Sequence, residues 1–237
     1  MRKDAVIEPL SPKAGVFETW LTDPARRAAL VIAHPAHEIR VLHWLSRVRP
    51  HVYILTQGSR SGADSARRQA SELLIEAQGA SIAKTWGGAW DRDLYDMLLD
   101  GRYEKLLQWA DELTADFIAR AVDLVVADSW QHYNVAHDIT YALARLAVQS
   151  ARRALGRDIT LVTYPVLPPA LAPGAPSASV IANVRLPSAA VDAKIAAMAA
   201  IPGIAAETTD INTAEGADAH LYEAFYSVLP LQRLLRT

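Results

Sequence analysis

Apolar and polar positions alternate between short unbroken apolar runs and longer stretches with a helical period. Ala28–Ala33 is apolar throughout, the mark of a strand buried on both faces. His51–Thr56, Ser81–Trp86, Asp123–Ala127 and Ile159–Val166 predict four more strands. Between them the period lengthens. Ile39, Val41, Leu42, Trp44, Leu45 and Val48 share one face of a helix that starts near Glu38. Ala66–Ala77 predicts a helix ended by Gly79, Tyr103–Ala121 a long one, and Asp138–Leu155 another that stops at Gly156. Strands that alternate with helices predict an α/β fold: a Rossmann-like, doubly wound, mainly parallel sheet with helices on both faces, in a single domain over residues 1–237.

The flanks are less regular. Pro9, Pro12 and Pro24 break residues 1–27, and Trp20 and Leu21 are expected to pack on the domain edge. Gly87–Asp93 reads as a loop. Pro165–Pro176 is a proline-rich loop, either a cover over the sheet edge or a spacer. Val180–Leu186 predicts an edge strand and Val191–Ala200 a helix. Ala217–Leu231, with Tyr222, Phe225 and Tyr226, predicts a last helix as a C-terminal extension.

Composition narrows the chemistry. The formal net charge of −2 gives no electrostatic case for nucleic acid or an anionic membrane surface. No apolar run approaches the ~20 residues that span a bilayer. The opening M-R-K-D-A-V-I-E-P-L is interrupted by charge and proline, unlike a signal peptide. A cytoplasmic location is the expectation. There is no cysteine, so a metal must be held by His, Asp, Glu or water. The alanine-rich helices offer faces for a homo-oligomer, and the expected partner is a small-molecule substrate.

Three loops at the carboxyl edge of the predicted sheet are rich in ligand atoms: 34–38, 57–62 and 128–138. His34 and His37 lie in the turn where the first strand passes to a helix, a place where open α/β sheets build sites. His132 and His137 lie after the fourth strand. His34, His37 and His137 together would offer three neutral nitrogens with a position left for water or substrate, the ligand count of a catalytic zinc site. Zn(II) is expected first, and Fe(II) or another divalent transition metal also suits such donors. A plainer role is open at the same residues: His34 as a strand-end hydrogen bonder and His37 as a solvated residue at a helix start.

The order of these motifs resembles the PIG-L/LmbE-like de-N-acetylases, metal-dependent hydrolases on a Rossmann-like sheet. Their A-H-P-D-D-E is matched by Ala33-His34-Pro35-Ala36-His37-Glu38, their L-T-x-G by Leu55-Thr56-Gln57-Gly58, and their H-P-D-H-like segment by Asn134-Val135-Ala136-His137. The resemblance spans roughly residues 28–140. It implies that His34 and His137 are metal ligands, with His37 in place of the ligand aspartate. It also implies that Ala36 replaces the general base, and Asn134 the histidine that stabilises the tetrahedral intermediate. Without its base such an enzyme should lose ~10²–10⁴-fold in rate unless another group substitutes.

Glu38, which matches the family's own glutamate, Asn134, Asp138 and His132 are the candidate catalytic groups. Asp138 equally suits a helix start, and His132 a solvated surface. Asp91 lies where the family has a substrate-contacting aspartate. Arg60, Arg67 and Arg68 could clamp an anion or merely line a solvated helix face. Trp90, with Trp86 and Trp130, could wall a pocket or pack in the core. The expected function is hydrolysis of an N-acyl bond of an amino sugar or related conjugate by a metal-activated water. Two alternatives remain: a non-hydrolytic metal enzyme, such as a non-heme iron oxygenase or a lyase, and an inactive binding module.

Overall fold

The computed structural model describes residues 12–58, 64–83, 88–168, 171–172, 175, 178–216 and 220–228. The predicted strands form as β1 (Ala28–Ile32), β2 (His51–Ile54), β3 (Ser81–Ile82), β4 (Leu124–Asp128), β5 (Thr160–Tyr164) and β6 (Val180–Arg185), joined by β7 (Tyr222–Tyr226). The helices are α1 (Pro12–Leu21), α2 (Leu42–Val48), α3 (Asp64–Ala77), α4 (Asp91–Leu99), α5 (Glu104–Ala119), α6 (Val135–Leu155), α7 (Ser188–Ala200) and α8 (Ile204–Glu215).

Among the described residues one seven-stranded sheet runs β3-β2-β1-β4-β5-β7-β6. The first five strands in that order are parallel, and β7 pairs antiparallel with both β5 and β6. The chain moves outward from β1 through β2 to β3, then returns to lay β4 on the other side of β1. The loops that follow β1 and β4 therefore diverge at their carboxyl ends and open a crevice there.

The uncharged run in β1 is explained by its burial on both sides. Ala29, Val31 and Ala33 face a core under α4, α5 and α6, with Trp109, Leu113 and Phe117. Ala28, Leu30 and Ile32 face the opposite core, with Trp44, Leu45, Val48 and Phe225. A third cluster joins Ala36 and Ile39 to Met198, Ile201 and Ile204 of the C-terminal helices. Among the described residues no helix is long and apolar enough to cross a membrane.

Four expectations are corrected. Residues 12–21 are helical despite Pro12, which is the first described residue. Asp91–Asp93, expected at the end of a loop, open the helix Asp91–Leu99, with the Asp93 carboxylate accepting the Trp90 N–H at 3.0 Å. Residues 222–226 are a strand, not a helix. Glu223 and Phe225 point inward and Tyr222, Ala224 and Tyr226 are half-buried, a period of two that sequence context hid. The region after His37 begins as a 3-10 helix, His37–Val41, before α2.

Candidate metal centre

The end of β1 is fixed on both sides. The Ala33 N–H donates to Asp128 Oδ2 at 2.8 Å, and Thr56 Oγ1 donates to the Ala33 carbonyl at 3.0 Å. Past Pro35, Ala36 adopts the left-handed conformation, with φ at 81°, and reverses the chain. The His37 N–H then returns to the His34 carbonyl at 3.4 Å, which sets the two rings 4.9 Å apart, edge to face. The third ring comes from α6. That helix starts at Val135, earlier than its pattern predicts, because Asn134 caps it by accepting the Ala136 N–H at 2.8 Å. His137 thus stands in the first turn, its ring 4.7 Å from His37 and 5.0 Å from His34.

His34 Nδ1 lies 3.3 Å from His37 Nε2 and 3.2 Å from His137 Nε2, and one ligand atom from each residue lies within 4.8 Å of the others. The other nitrogens fix the proton positions. His34 Nε2 is 2.7 Å from Asp91 Oδ1, and His37 Nδ1 is 2.8 Å from Asp128 Oδ2. An ionised carboxylate only accepts, so each of these nitrogens carries the proton, and in the neutral ring the inward nitrogen is then a lone pair. Burial opposes ionisation of Asp91, yet its hydrogen bonds from His34 and Thr56 hold it below the usual carboxylate range. Burial likewise opposes ionisation of Asp128, and its hydrogen bonds with His37 and the Ala33 N–H hold it down. Burial also pushes the protonation of His34 down, and burial and the neighbouring His37 do the same for His137.

Two lone pairs therefore face each other across 3.3 Å. His137 can donate to one of them at most. Its Nδ1 is buried without a partner among the described residues, so either tautomer leaves a buried nitrogen unmatched. A divalent cation among the three nitrogens removes the mismatch. Neutral imidazoles backed by carboxylates are the form that binds one. The donor set fits a metal.

The centre lies at the floor of a cavity of about 190 Å³, walled by Gln57, Gly58, Arg67, Asp91, Tyr133, Asn134, Val166 and Leu167 besides the histidines and Pro35. Of the candidate catalytic residues, Asn134 is on the wall. Glu38, Asp138 and His132 are not on it. Glu38 is fully buried, accepts the Ser71 hydroxyl, and is pushed up to about 7 by burial. Asp138 accepts the Gln131 N–H at 2.9 Å and the His132 N–H at 3.3 Å, which pins the loop. His132 has φ at 54° and its ring rests beside Trp130.

Of the substrate-binding candidates, Asp91 is on the wall but backs His34, and Trp90 is not on the wall. Arg60 and Trp86 lie outside the described residues. Arg67, on the wall, donates to the Pro35 carbonyl at 2.9 Å. Asp128 is the first residue of the 128–138 loop, and the pattern there assigns it no role. Its signal is an acidic residue ending a fully buried strand. Thr56 carries no assigned role beyond its place in Leu55-Thr56-Gln57-Gly58, and nothing in the neighbours of Gln131 marks it.

No protein-family model and no curated protein matches the chain. Solved structures do. A deacetylase of the teicoplanin biosynthetic pathway, as a triple mutant, is 15% identical, with 85% of this chain and 97% of that one covered and a TM-score of 0.58. The 4-carboxy-2-hydroxymuconate hydratase GalB from Pseudomonas putida is 19% identical, with 86% and 97% covered and a TM-score of 0.56. The N,N'-diacetylchitobiose deacetylase from Pyrococcus horikoshii is 15% identical, with 97% of each chain covered and a TM-score of 0.54. The fold is that of the PIG-L/LmbE-type deacetylases, at low identity.

Proposed function

We propose that this chain is a metal-dependent hydrolase of the PIG-L/LmbE type that cleaves an N-acyl bond of an amino sugar or a related small conjugate. The observation that carries the reading is the set of three inward imidazole nitrogens, two of them on rings backed by buried carboxylates, at the floor of a cavity at the sheet's switch point. The deacetylases that share this fold support it. His34, His37 and His137 would hold the ion; Zn(II) suits the donors best, and Fe(II) remains compatible. When bound, such an ion supplies Lewis acidity toward a carbonyl oxygen and a water.

The protein's own groups then set the rate. Asp91 and Asp128 keep His34 and His37 in the tautomer that faces inward. Asn134 stands on the wall as a hydrogen-bond donor but cannot deliver a proton at neutral pH. Glu38, Asp138 and His132 stay candidates only for acting through other residues. Asp91 is the wall's one carboxylate among the described residues, and it already accepts hydrogen bonds from His34 and Thr56. A carboxylate so satisfied is a weak base. Amide cleavage should therefore be slow by the ~10²–10⁴-fold that a general base supplies.

The same observation favours a second reading, a lyase or hydratase, because a hydratase has the same fold and position 36 carries no base. The test is to load the protein with one equivalent of Zn(II) and assay two reactions. One is amine release from N-acetylglucosamine and related N-acyl amines, the other hydration of unsaturated hydroxy acids. Amine release that disappears in His37→Ala supports the hydrolase. Hydration without amine release transfers the assignment to the second reading. Loss of neither activity in His37→Ala removes the centre from the chemistry.

A further inference from the structure

The surroundings of His37 differ on its two sides. One side is the polar cavity with Gln57, Arg67, Asp91 and Asn134. The other is a smaller cleft of about 40 Å³, walled by Ile39, Met198, Ile204, Thr208, Val166 and Leu167, with Ala36, Arg40 and Lys194 also on its lining. His37, Val166 and Leu167 border both spaces.

The shared ridge is built rather than incidental. Gln131, buried at 3% exposure, accepts the Val166 N–H at 2.8 Å and the Leu167 N–H at 3.1 Å and donates to the Leu167 carbonyl at 2.7 Å. Asp138 holds the Gln131 backbone in turn. The ridge is thereby tied to the loop that carries His137. Lys194 commits its ammonium elsewhere: Nζ donates to the Arg40 carbonyl at 2.8 Å and lies 3.6 Å from Glu223. The interior between them is apolar, furnished by α7 and α8, beyond the part of the chain that carries the sequence motifs.

We propose that this cleft is a second subsite of the histidine centre and takes a short unbranched acyl or alkyl chain of the substrate, while the polar cavity takes its hydrophilic part. The substrate class is then an amphipathic conjugate with a short apolar chain rather than a bare acetyl group. The inference rests on the histidine centre being the reacting site. Its size limits the chain: about 40 Å³ excludes long lipids. Each methylene moved from water into such a space strengthens binding by a factor of about four.

The probes are acetate and butyrate, titrated calorimetrically into Zn(II)-loaded protein. Butyrate, with two more methylenes, should bind about 16-fold more tightly than acetate. That preference should vanish in Met198→Trp and in Thr208→Phe, both of which fill the cleft, with zinc content unchanged. Thr208 is only partly buried, so its variant tests the cleft even where the Met198 variant does not fold. Equal affinities in the unaltered protein overturn the proposal, as does a preference that survives Thr208→Phe or a failure of both acids to bind. Turnover is not needed for this readout. A chain-length preference without any deacylation keeps the subsite and removes the hydrolase reading. Deacylation without the preference removes the subsite alone.

Discussion

At the residue scale, the carboxylates behind the histidines decide more than the histidines alone. Asp128 is fully buried and serves two donors at once, His37 Nδ1 and the Ala33 N–H. Replacing it by Asn removes the charge that fixes the His37 tautomer while keeping the shape. Asp128→Asn should weaken metal affinity 10–100-fold, read by competition with a metal-sensitive dye. An affinity equal to that of the unaltered protein would mean that the tautomer is set by other means. Ala36 calls for a different substitution. Motif comparison suggests restoring an acid there, but Ala36 sits with Ile39, Met198, Ile201 and Ile204 and is not on the wall of the polar cavity. Ala36→Asp buries a carboxylate among apolar side chains, so it should lower stability by ~1–3 kcal/mol in urea unfolding. No gain in amine release should accompany it, although its left-handed backbone suits aspartate. A gain in hydrolysis at unchanged stability would show that the side chain reaches the centre.

At the scale of elements, the sequence discloses the parallel half of the sheet and conceals the antiparallel edge. The buried strands β1, β4 and β5 announce themselves by uncharged runs, and α6 by its long amphipathic face. The end of the chain has no such run, because β7 buries one charged and one aromatic side chain in alternation. Glu223 goes inward for a physical reason. Its carboxylate accepts the His43 N–H at 2.8 Å and the Trp44 N–H at 2.9 Å, capping the first turn of α2 from another strand. A cap from 180 residues away leaves no local signature. Likewise the three-histidine set was legible from spacing and motif, whereas Asp128, Thr56 and Gln131 matter only once distant loops meet.

Glu223 also faces Lys194, and both are buried. Glu223→Ala strands the Lys194 ammonium and uncaps α2, so it should cost ~3–5 kcal/mol. The pH dependence of that pair has a definite sign. Burial pulls Lys194 from 10.5 down to about 8, against the opposing pull of Glu223. Between those values the unfolded chain holds the proton that the folded one has lost, so Lys194 makes stability rise with pH across that window. Lys194→Met should flatten this slope in denaturation curves taken from pH 7.5 to 10, and an unchanged slope would place it on another group.

At the scale of the whole molecule, the centre ties together loops that the sheet order drives apart. His34 and His37 follow β1, His137 follows β4, Asp91 opens α4, and Asp128 ends β4. Without a cation, buried lone pairs oppose each other at the point where these segments join, and metal binding replaces that repulsion by three bonds. Because the unfolded chain has no such preformed site, the binding free energy adds to folding stability, by about 4 kcal/mol when free metal exceeds its Kd a thousandfold. Chelation should therefore lower the melting temperature of the unaltered protein by several degrees, and readdition of Zn(II) should restore it. His34→Ala removes one ligand and one of the opposed lone pairs together. Its melting temperature should match or exceed that of the chelated protein and should not respond to Zn(II). A chelated protein that melts where the loaded one does would mean that the three segments are held by packing alone, with no ion joining them.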